Sequence, residues 1–474
     1  MSEPTDAVAP VAPPHTIWST IREAIRGSSQ DFTTGSIGRA VILLAIPMVV
    51  EMLMESVFAV VDMFFVSRLG PDSVAAVGLT ESFLALVYAI AMGLAVAVTA
   101  LVSRRIGEER PDDAAHAAGQ ALLLGMVIAA VLGTTGVLLA PRLLATMGAT
   151  PAVIATGSGY TRVLLGGEVT VILLFLLNAA FRGAGDAAIA MRVLLVANTI
   201  NIVLNPCFIF GLGPFPALGV TGAAVATTIG RGIGALVAFR ALIAPGHRLR
   251  MVPRHFHLDL TVMRQLVKLA GSAIGQFLIS TTSWIGLARL MAVFGSVALA
   301  GYTIGLRVVI FAIMPAWGLS NAAATMVGQN LGAGKPERAE AAVWKACLYN
   351  FVLLTILGVI FVVAAPTIAG VFGHDAAMQV VAVRCLRYIA AGFPLYALGM
   401  VVAQAFNGAG DTWTPTWLNF VVFWCWEVPL AWLLAVPLGM GPNGVFLAIA
   451  IGFSTMAVAA GLLFRRGKWK LRTV

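Results

Sequence analysis

The sequence predicts an all-α polytopic membrane protein with twelve transmembrane helices in two six-helix lobes. Of its 474 residues, 59% are hydrophobic and 11% are charged, and the mean hydropathy is +0.94. This composition leaves too little polar surface to cover a soluble globule. The apolar runs last roughly 20 residues without alternation, which is typical of membrane helices and excludes a β-barrel. The third observation is a repeat between the two halves of the chain.

Apolar runs bounded by charged residues, glycine or proline define the predicted helices. Their twelve approximate spans are 41–67, 74–101, 115–141, 160–181, 187–211, 219–243, 264–293, 297–324, 341–369, 384–406, 413–437 and 443–464. Arginine and lysine concentrate in the loops after even-numbered helices and in the final segment RRGKWKLR. The positive-inside rule therefore predicts that both termini are cytoplasmic, in a multi-pass protein of the cell (inner) membrane.

The two halves of the chain repeat with an offset of 225 residues. RGAGD at 182–186 recurs as NGAGD at 407–411, and SRRIGEERPDDA at 103–114 recurs as GQNLGAGKPERA. The same offset places Gly219 over Gly444. Six helices per half is an even number, so the copies are predicted to be parallel, related by a pseudo-two-fold axis along the membrane normal. Rocking of two such lobes exposes a central cavity to each side in turn, which is the architecture of a transporter.

The predicted organisation has five parts. Residues 1–30 form a disordered or amphipathic N-terminal segment, 31–245 the N-lobe, 246–262 a cytoplasmic linker, 263–466 the C-lobe and 467–474 a basic tail. Because the two lobes enclose their own cavity, a monomer suffices for the mechanism.

Composition and motifs also exclude several functions. The formal net charge is +9, but the basic residues punctuate loops and form no stripe, so no nucleic-acid partner is predicted. The four cysteines lie singly in apolar segments of the sequence, which argues against a metal site or a redox pair. The sequence has no GxSxG, HExxH or paired-aspartate motif, so an intramembrane enzyme is not predicted.

Three carboxylates interrupt the first predicted helix. At 100° per residue, Glu51, Glu55 and Asp62 share one narrow face. A charged acid at the bilayer centre costs at least about 3 kcal/mol, so this face is expected to look into a cavity or the protein interior. The repeat places Leu287 at the position of Asp62, so the fold itself does not require this acid.

Amides accompany the acids in the first half of the chain. Asn198, Asn201 and Asn205 share one face of the fifth predicted helix, and Asn178 lies on the fourth. Two interpretations remain open at this point. The amides and Asp62 join helices by hydrogen bonds, or Asp62 loads a proton or a sodium ion with the amide oxygens completing its shell.

The motifs together resemble one family. They are IPMVVEMLMESVFAVVDMFFVSRLG with VAAVGL, NAAFRGAGD, NTINIVLNPCFIFGLG with LGVTGAAVATTIG, and FNGAGDTWTP. The chain resembles the multidrug and toxic compound extrusion (MATE) transporters along essentially its full length after the N-terminal tail. The resemblance implies an antiporter that exchanges inward flow of H⁺ or Na⁺ for export of amphipathic, often cationic, organic molecules. It implies no cofactor other than the coupling ion.

The resemblance also assigns roles to residues. Asp62, in VVDMFFV, is the implied coupling acid and the one implied place for Na⁺. Its implied partners are Tyr160, Asn178, Asn201, Asn205 and Thr227. One branch of the family carries acids on the seventh and tenth helices, where this chain has Ser280 and Tyr396. The resemblance therefore does not extend to a cation site in the C-lobe, and it leaves the choice between H⁺ and Na⁺ open.

The remaining polar positions outline an expected substrate cavity. It is lined by Glu51, Glu55, Gln276, Ser280 and Tyr396, with Gln276 at the repeat position of Glu51. Glu51 and Glu55 either attract a cationic substrate or face water in an inner vestibule. The expected partners are small organic cations and membrane lipid. The alternative function is a flippase for lipid-linked substrates, from the same superfamily.

Overall fold

The computed structural model describes residues 17–27, 30–372 and 375–473. Regular structure in these ranges is helical, and none of their residues forms a β-strand. The predicted disordered segment lies mostly outside the described residues. Its last part contains the amphipathic helix α1 (Ile17–Arg26), whose Ala24 packs into the bundle. Glu23 of α1 forms an ion pair with Arg39 at 2.6 Å.

The N-lobe and the C-lobe each cross the membrane six times. The N-lobe helices are α2 (Ile37–Ser67), α3 (Pro71–Gly107), α4 (Pro111–Thr146), α5 (Pro151–Gly166), α6 (Glu168–Ala184), α7 (Ala187–Phe210) and α8 (Val220–Ile243). The C-lobe helices are α9 (Leu260–Ala292), α10 (Ser296–Gly332), α11 (Pro336–Phe372), α12 (Ala376–Gly408), α13 (Trp413–Asn419), α14 (Val428–Ala435) and α15 (Pro442–Arg465). The pair α5 and α6 forms one crossing, and a π-helical segment, Phe420–Glu427, joins α13 to α14.

The predicted fold class is confirmed. In the described ranges, eleven of the twelve crossings are long and apolar enough to span a membrane, and α9 is the exception. Most helices extend beyond the predicted spans because the apolar pattern stops where polar helical turns begin. The largest difference is the fourth crossing, which was predicted to begin at residue 160 and begins at Pro151.

The repeat is visible in the helix ends, with one correction. Helices α3 and α10 begin and end 225 residues apart, each after a glycine with positive φ, Gly70 or Gly295. The last helix of each lobe departs from that offset. Gly219 and Gly441, 222 residues apart, cap α8 and α15 with the same backbone angles, φ 57° and 58°. The predicted match of Gly219 with Gly444 is therefore wrong, because the loop before α15 is three residues shorter.

The two lobes meet at one end of the bundle, which we call the terminal face because residues 30–36 and 467–473 lie there. A side chain at Gly107 of α3 would collide with the backbone oxygen of Gln329 on α10. The Gln329 amide also donates to the oxygen of Gly183 at 2.9 Å. Thr325 donates to the oxygen of Arg182 at 3.2 Å. These contacts close the space between the lobes at the terminal face.

The stretches 30–36 and 467–473 both bridge the lobes at the terminal face. Lys335 of the C-lobe donates to the backbone oxygen of Thr33, which lies in the stretch 30–36, at 3.0 Å. At the other end, Arg472 binds Asp411 at 3.1 Å, and Arg104 of the N-lobe donates to the Arg472 oxygen at 2.7 Å. The predicted basic tail thus contacts both lobes in its described part.

The segment between the lobes packs along α4 before α9 begins. The Gln120 side chain donates to the oxygen of His255 at 3.2 Å and accepts from the N–H of Asp259 at 3.0 Å. Asp259 caps α9, because the N–H groups of Thr261 and Val262 donate to its carboxylate. These backbone hydrogen bonds, with that of Val262 the stronger influence, lower the pKa of Asp259.

Gly107→Ala tests the close contact between the lobes. The added methyl group has no room beside Gln329, so we expect a loss of about 1–3 kcal/mol of stability. Gly78→Ala on the same helix is the matched control, because no neighbouring atom lies within 4 Å of its added carbon. Thermal unfolding of both purified variants in detergent measures the difference. Equal midpoints for the two variants would contradict the packing described.

Candidate functional site

A cavity of about 480 Å³ lies between the lobes. The C-lobe side of the described lining is apolar or amide-bearing, with Phe277, Phe311 and Trp317 among its rings. The charged side chains of the described lining all come from the N-lobe. They are five acids and two arginines: Glu51, Glu55, Asp62, Glu81, Glu168, Arg182 and Arg231. The cavity is therefore strongly asymmetric in charge.

Asp62 lies in the half of the cavity away from the terminal face, five residues before α2 ends. The amide of Asn205 on α7 donates to its carboxylate at 2.8 Å. Tyr160 of α5 is buried and lines the cavity together with Asp62. Thr227, which also lines the cavity, accepts a hydrogen bond from the Asn201 amide at 3.0 Å. No basic side chain within the described ranges forms an ion pair with Asp62.

The asparagines of the N-lobe fall into two groups. Asn198 donates to the backbone oxygen of Met54 at 3.0 Å, so it joins α7 to α2. The side-chain oxygens of Asn178, Asn201 and Asn205 are buried and have no hydrogen-bond partner among the described residues. Asn178 also lines the cavity. This second group could offer oxygen atoms to a cation near Asp62.

Glu51 and Glu55 are each paired with an arginine. Arg182, at the end of α6, binds Glu51, whose side chain is 2% exposed. Arg231 of α8 binds Glu55 at 3.4 Å. Glu51 lines the cavity but is held by its arginine in this conformation, so both interpretations of this acid stay predictions. Both arginines were missed, although each interrupts or ends an apolar run of the sequence.

Two further groups of the cavity wall, Glu168 and Tyr88, were also missed. Helix α5 stops at Gly166 and α6 starts at Glu168, and Gly167 between them lies against Thr228 with no room for a side chain. The break places Glu168 within the membrane crossing, where it is 1% exposed. The Arg231 guanidinium lies 5.8 Å from the ring centre of Tyr88. The sequence signal for the break is the Gly-Gly-Glu stretch, which lies inside the continuous predicted helix 160–181.

Gln276, Ser280 and Tyr396 line a smaller cavity of about 70 Å³ inside the C-lobe. They were expected beside Glu51 and Glu55, and the structure separates the two sets. Phe277, Trp317 and Gln404 border both cavities, so the small one adjoins the large one. The described lining of the small cavity has no charged side chain.

The repeat links the two lobes at this site. Gln276 corresponds to Glu51, and Asn407 corresponds to Arg182. The Asn407 amide donates to the Gln276 oxygen at 3.3 Å. A neutral amide pair in the C-lobe thus takes the place of the ion pair in the N-lobe.

Comparison with known proteins decides the family. The MatE family model matches residues 47–207 and 271–433, one stretch in each lobe. The chain belongs to the MATE family. A similar solved structure is the outward-facing conformation of a multidrug resistance MATE family transporter of the MOP superfamily. It has a TM-score of 0.87 and 26% sequence identity, covering 92% of this chain and 97% of that one.

Two curated relatives extend the comparison. "Probable multidrug resistance protein NorM" of Thermotoga maritima is 25% identical over 92% of this chain and 94% of its own length. "FAD transporter" of Shewanella oneidensis is 27% identical over 91% of this chain and 95% of its own length. As a MATE protein, the chain is a multi-pass membrane transporter of the drug-extrusion type and not an enzyme. MATE transporters act on small molecules and in general need no cofactor.

Arg182→Asn tests the ion pair in this MATE transporter. The variant leaves Glu51 buried without its partner, which costs about 3–5 kcal/mol. Adding Glu51→Gln copies the Gln276–Asn407 pair of the C-lobe and should restore most of the lost stability. Thermal unfolding of the two single variants and the double variant measures the coupling. A double variant as unstable as Arg182→Asn would show that the loss does not come from the unpaired acid.

Proposed function

We propose that the protein is a cation-coupled antiporter that exports amphipathic organic cations by alternating access between its two lobes. The observation that carries the proposal is the one-sided cavity. Acids of the N-lobe face aromatic rings of the C-lobe, and a flat organic cation has both a charge and an apolar surface to match. Relatives described as probable multidrug resistance proteins support the export of drug-like small molecules.

Charge balance favours cations over anions as cargo. Five acids and two arginines of the described residues line the cavity, so it carries an excess of negative charge when all are ionised. A phosphate-bearing substrate, such as the cargo named for the FAD transporter, requires more arginine or lysine than this wall offers. The same argument disfavours the alternative of a flippase for phosphate-linked lipid substrates.

Asp62 is the proposed coupling acid. It lies in the cavity wall, takes a hydrogen bond from Asn205 and has no ion-pair partner in the described ranges, so it is available to a mobile cation. The coupling ion we favour is H⁺, because a carboxylate in the cavity wall without an ion-pair partner in the described ranges can take up and release a proton. The unpartnered oxygens of Asn178, Asn201 and Asn205 make Na⁺ the second candidate.

The proposed cycle follows from competition for the same negative charge. A substrate cation binds the cavity while Asp62 is ionised, and an arriving proton removes one negative charge and weakens that binding. We place both termini in the cytoplasm, in the cell (inner) membrane, so the closed terminal face lies on the cytoplasmic side. In this conformation the cavity releases substrate to the outer side of the membrane. Similarity to an outward-facing MATE structure supports that assignment. One chain supplies the whole charged wall, so a monomer suffices.

Asp62→Asn tests the coupling role. The amide keeps the size of the side chain but cannot take up or release a proton. Dye efflux from proteoliposomes under a proton gradient should therefore fall to the level of dye-loaded liposomes without protein. Asp72→Asn is the control, because Asp72 is exposed in the first turn of α3. Unfolding midpoints establish that both variants fold. Wild-type efflux by Asp62→Asn would remove Asp62 from the mechanism.

Ion replacement separates the two coupling ions. Proton coupling predicts unchanged efflux when sodium is left out on both sides of the liposome membrane and only the proton gradient remains. Sodium coupling predicts that efflux stops there and returns with an inward sodium gradient at equal pH. The same dye and the same protein preparation serve in both arms.

A further inference from the structure

The break between α5 and α6 places Glu168 in the wall of the large cavity. It is the first residue of α6 and lies about midway through the crossing Pro151–Ala184. Its side chain is buried, yet it belongs to the cavity lining. Glu168 therefore meets the same space as the proposed substrate while bulk water is largely excluded from it.

The described residues leave Glu168 incompletely paired. Its Oε1 atom is buried and has no hydrogen-bond partner among them. Arg231 is the basic group that faces it, but the ion pair of Arg231 is with Glu55. The Nε and Nη1 atoms of Arg231 are likewise buried without a partner in the described ranges. One guanidinium thus serves two acids, which leaves one negative charge in excess.

The other charged and titratable groups near Glu168 do not supply a second positive charge. Besides Arg231 of α8, the groups that interact with it or with Arg231 come from three helices. They are Glu55 and Asp62 of α2, Tyr88 of α3 and Tyr160 of α5, and Glu81 of α3 interacts with both tyrosines. Helices α4 and α7 carry no titratable side chain in their central turns. The hydrogen bonds from α10 to α6 reach Arg182 and Gly183, at the opposite end of α6 from Glu168.

The C-lobe shows that the fold does not require polar groups here. The 225-residue offset places Phe393 at the position of Glu168. The 222-residue offset of α8 and α15 places Phe453 at the position of Arg231. Both rings are buried, and Phe453 stacks on Tyr396 with ring centres 3.8 Å apart. Packed rings therefore fill this place in one lobe, and an acid and an arginine fill it in the other.

We propose that Glu168 is a second proton-binding site of the transporter, so that export of one substrate cation is coupled to two protons, one on Asp62 and one on Glu168. A buried carboxylate without its own counter-ion is costly, and a bound proton removes that cost. A substrate cation entering the cavity supplies the missing positive charge and displaces the proton. This proposal rests on the proposed proton-coupled antiport and adds its stoichiometry.

Proton release on substrate binding is the direct test. By linkage, the slope of log Kd against pH equals the number of protons released when the substrate binds. The probe is tetraphenylphosphonium, an apolar monovalent cation that does not titrate, added to the purified full-length protein in detergent. Affinity should rise about a hundredfold per pH unit for the wild type and about tenfold for Glu168→Gln and for Asp62→Asn.

Glu427→Gln is the matched control. Glu427 is also buried, and its Oε2 atom has no hydrogen-bond partner among the described residues. However, it packs against Gly452 and lines neither cavity. Its amide variant should keep the wild-type slope. If Glu168→Gln does not purify as a folded protein, Glu168→Met replaces it, with the same tenfold slope expected.

The outcomes separate this proposal from the proposed function. A Glu168→Gln slope equal to that of the wild type, with a reduced Asp62→Asn slope, overturns the second site and leaves proton coupling at Asp62 intact. A wild-type slope of about one proton likewise overturns the second proton-binding site. A wild-type affinity independent of pH but weakened by sodium overturns proton coupling itself. Calorimetry in buffers of different ionisation enthalpy counts the released protons independently.

Discussion

Pairing of buried charges is the constraint on which the N-lobe depends. Its crossings carry acids and arginines at a depth where an unpaired charge costs several kcal/mol. The ion pair of Arg182 with Glu51 and that of Arg231 with Glu55 offset this cost for two acids. They also fix α2 against α6 and α8. Because these two acids are already neutralised inside the protein, Asp62 is left as an acid of the wall that a mobile cation can reach.

The C-lobe uses the same architecture with neutral groups. Where the N-lobe has an ion pair, the C-lobe has the Gln276–Asn407 hydrogen bond. Where the N-lobe has Glu168, the C-lobe has the buried ring of Phe393. The charged chemistry is thus confined to one lobe, and the other lobe supplies an apolar wall. A proton or a substrate that binds the charged lobe changes the electrostatic balance on one side of the interface only.

The fold was predictable because its signals are local or periodic. Long apolar runs and a constant repeat offset need no knowledge of tertiary contacts, and helical geometry alone placed Glu51, Glu55 and Asp62 on one face. The pairing of these acids was not predictable in this way, because Arg182 lies 131 residues and Arg231 lies 176 residues from its partner. The shortened loop before α15 also escaped, since it shifts the repeat by three residues without changing the helix pattern.

The closed terminal face is built from contacts that water can replace. The oxygens of Arg182 and Gly183 belong to the last turn of α6. The Arg182 oxygen also accepts from the N–H of Gly185 at 3.0 Å, and that of Gly183 is among the last carbonyl groups, which helix geometry leaves without helical partners. In this conformation Thr325 and Gln329 donate to them, and the close approach of Gly107 keeps the helices together. If the lobes part, the same carbonyls accept hydrogen bonds from entering water at little net cost. The conformations with the terminal face closed and open can therefore differ in free energy by only a few kcal/mol. Ion binding is able to reverse a difference of this size.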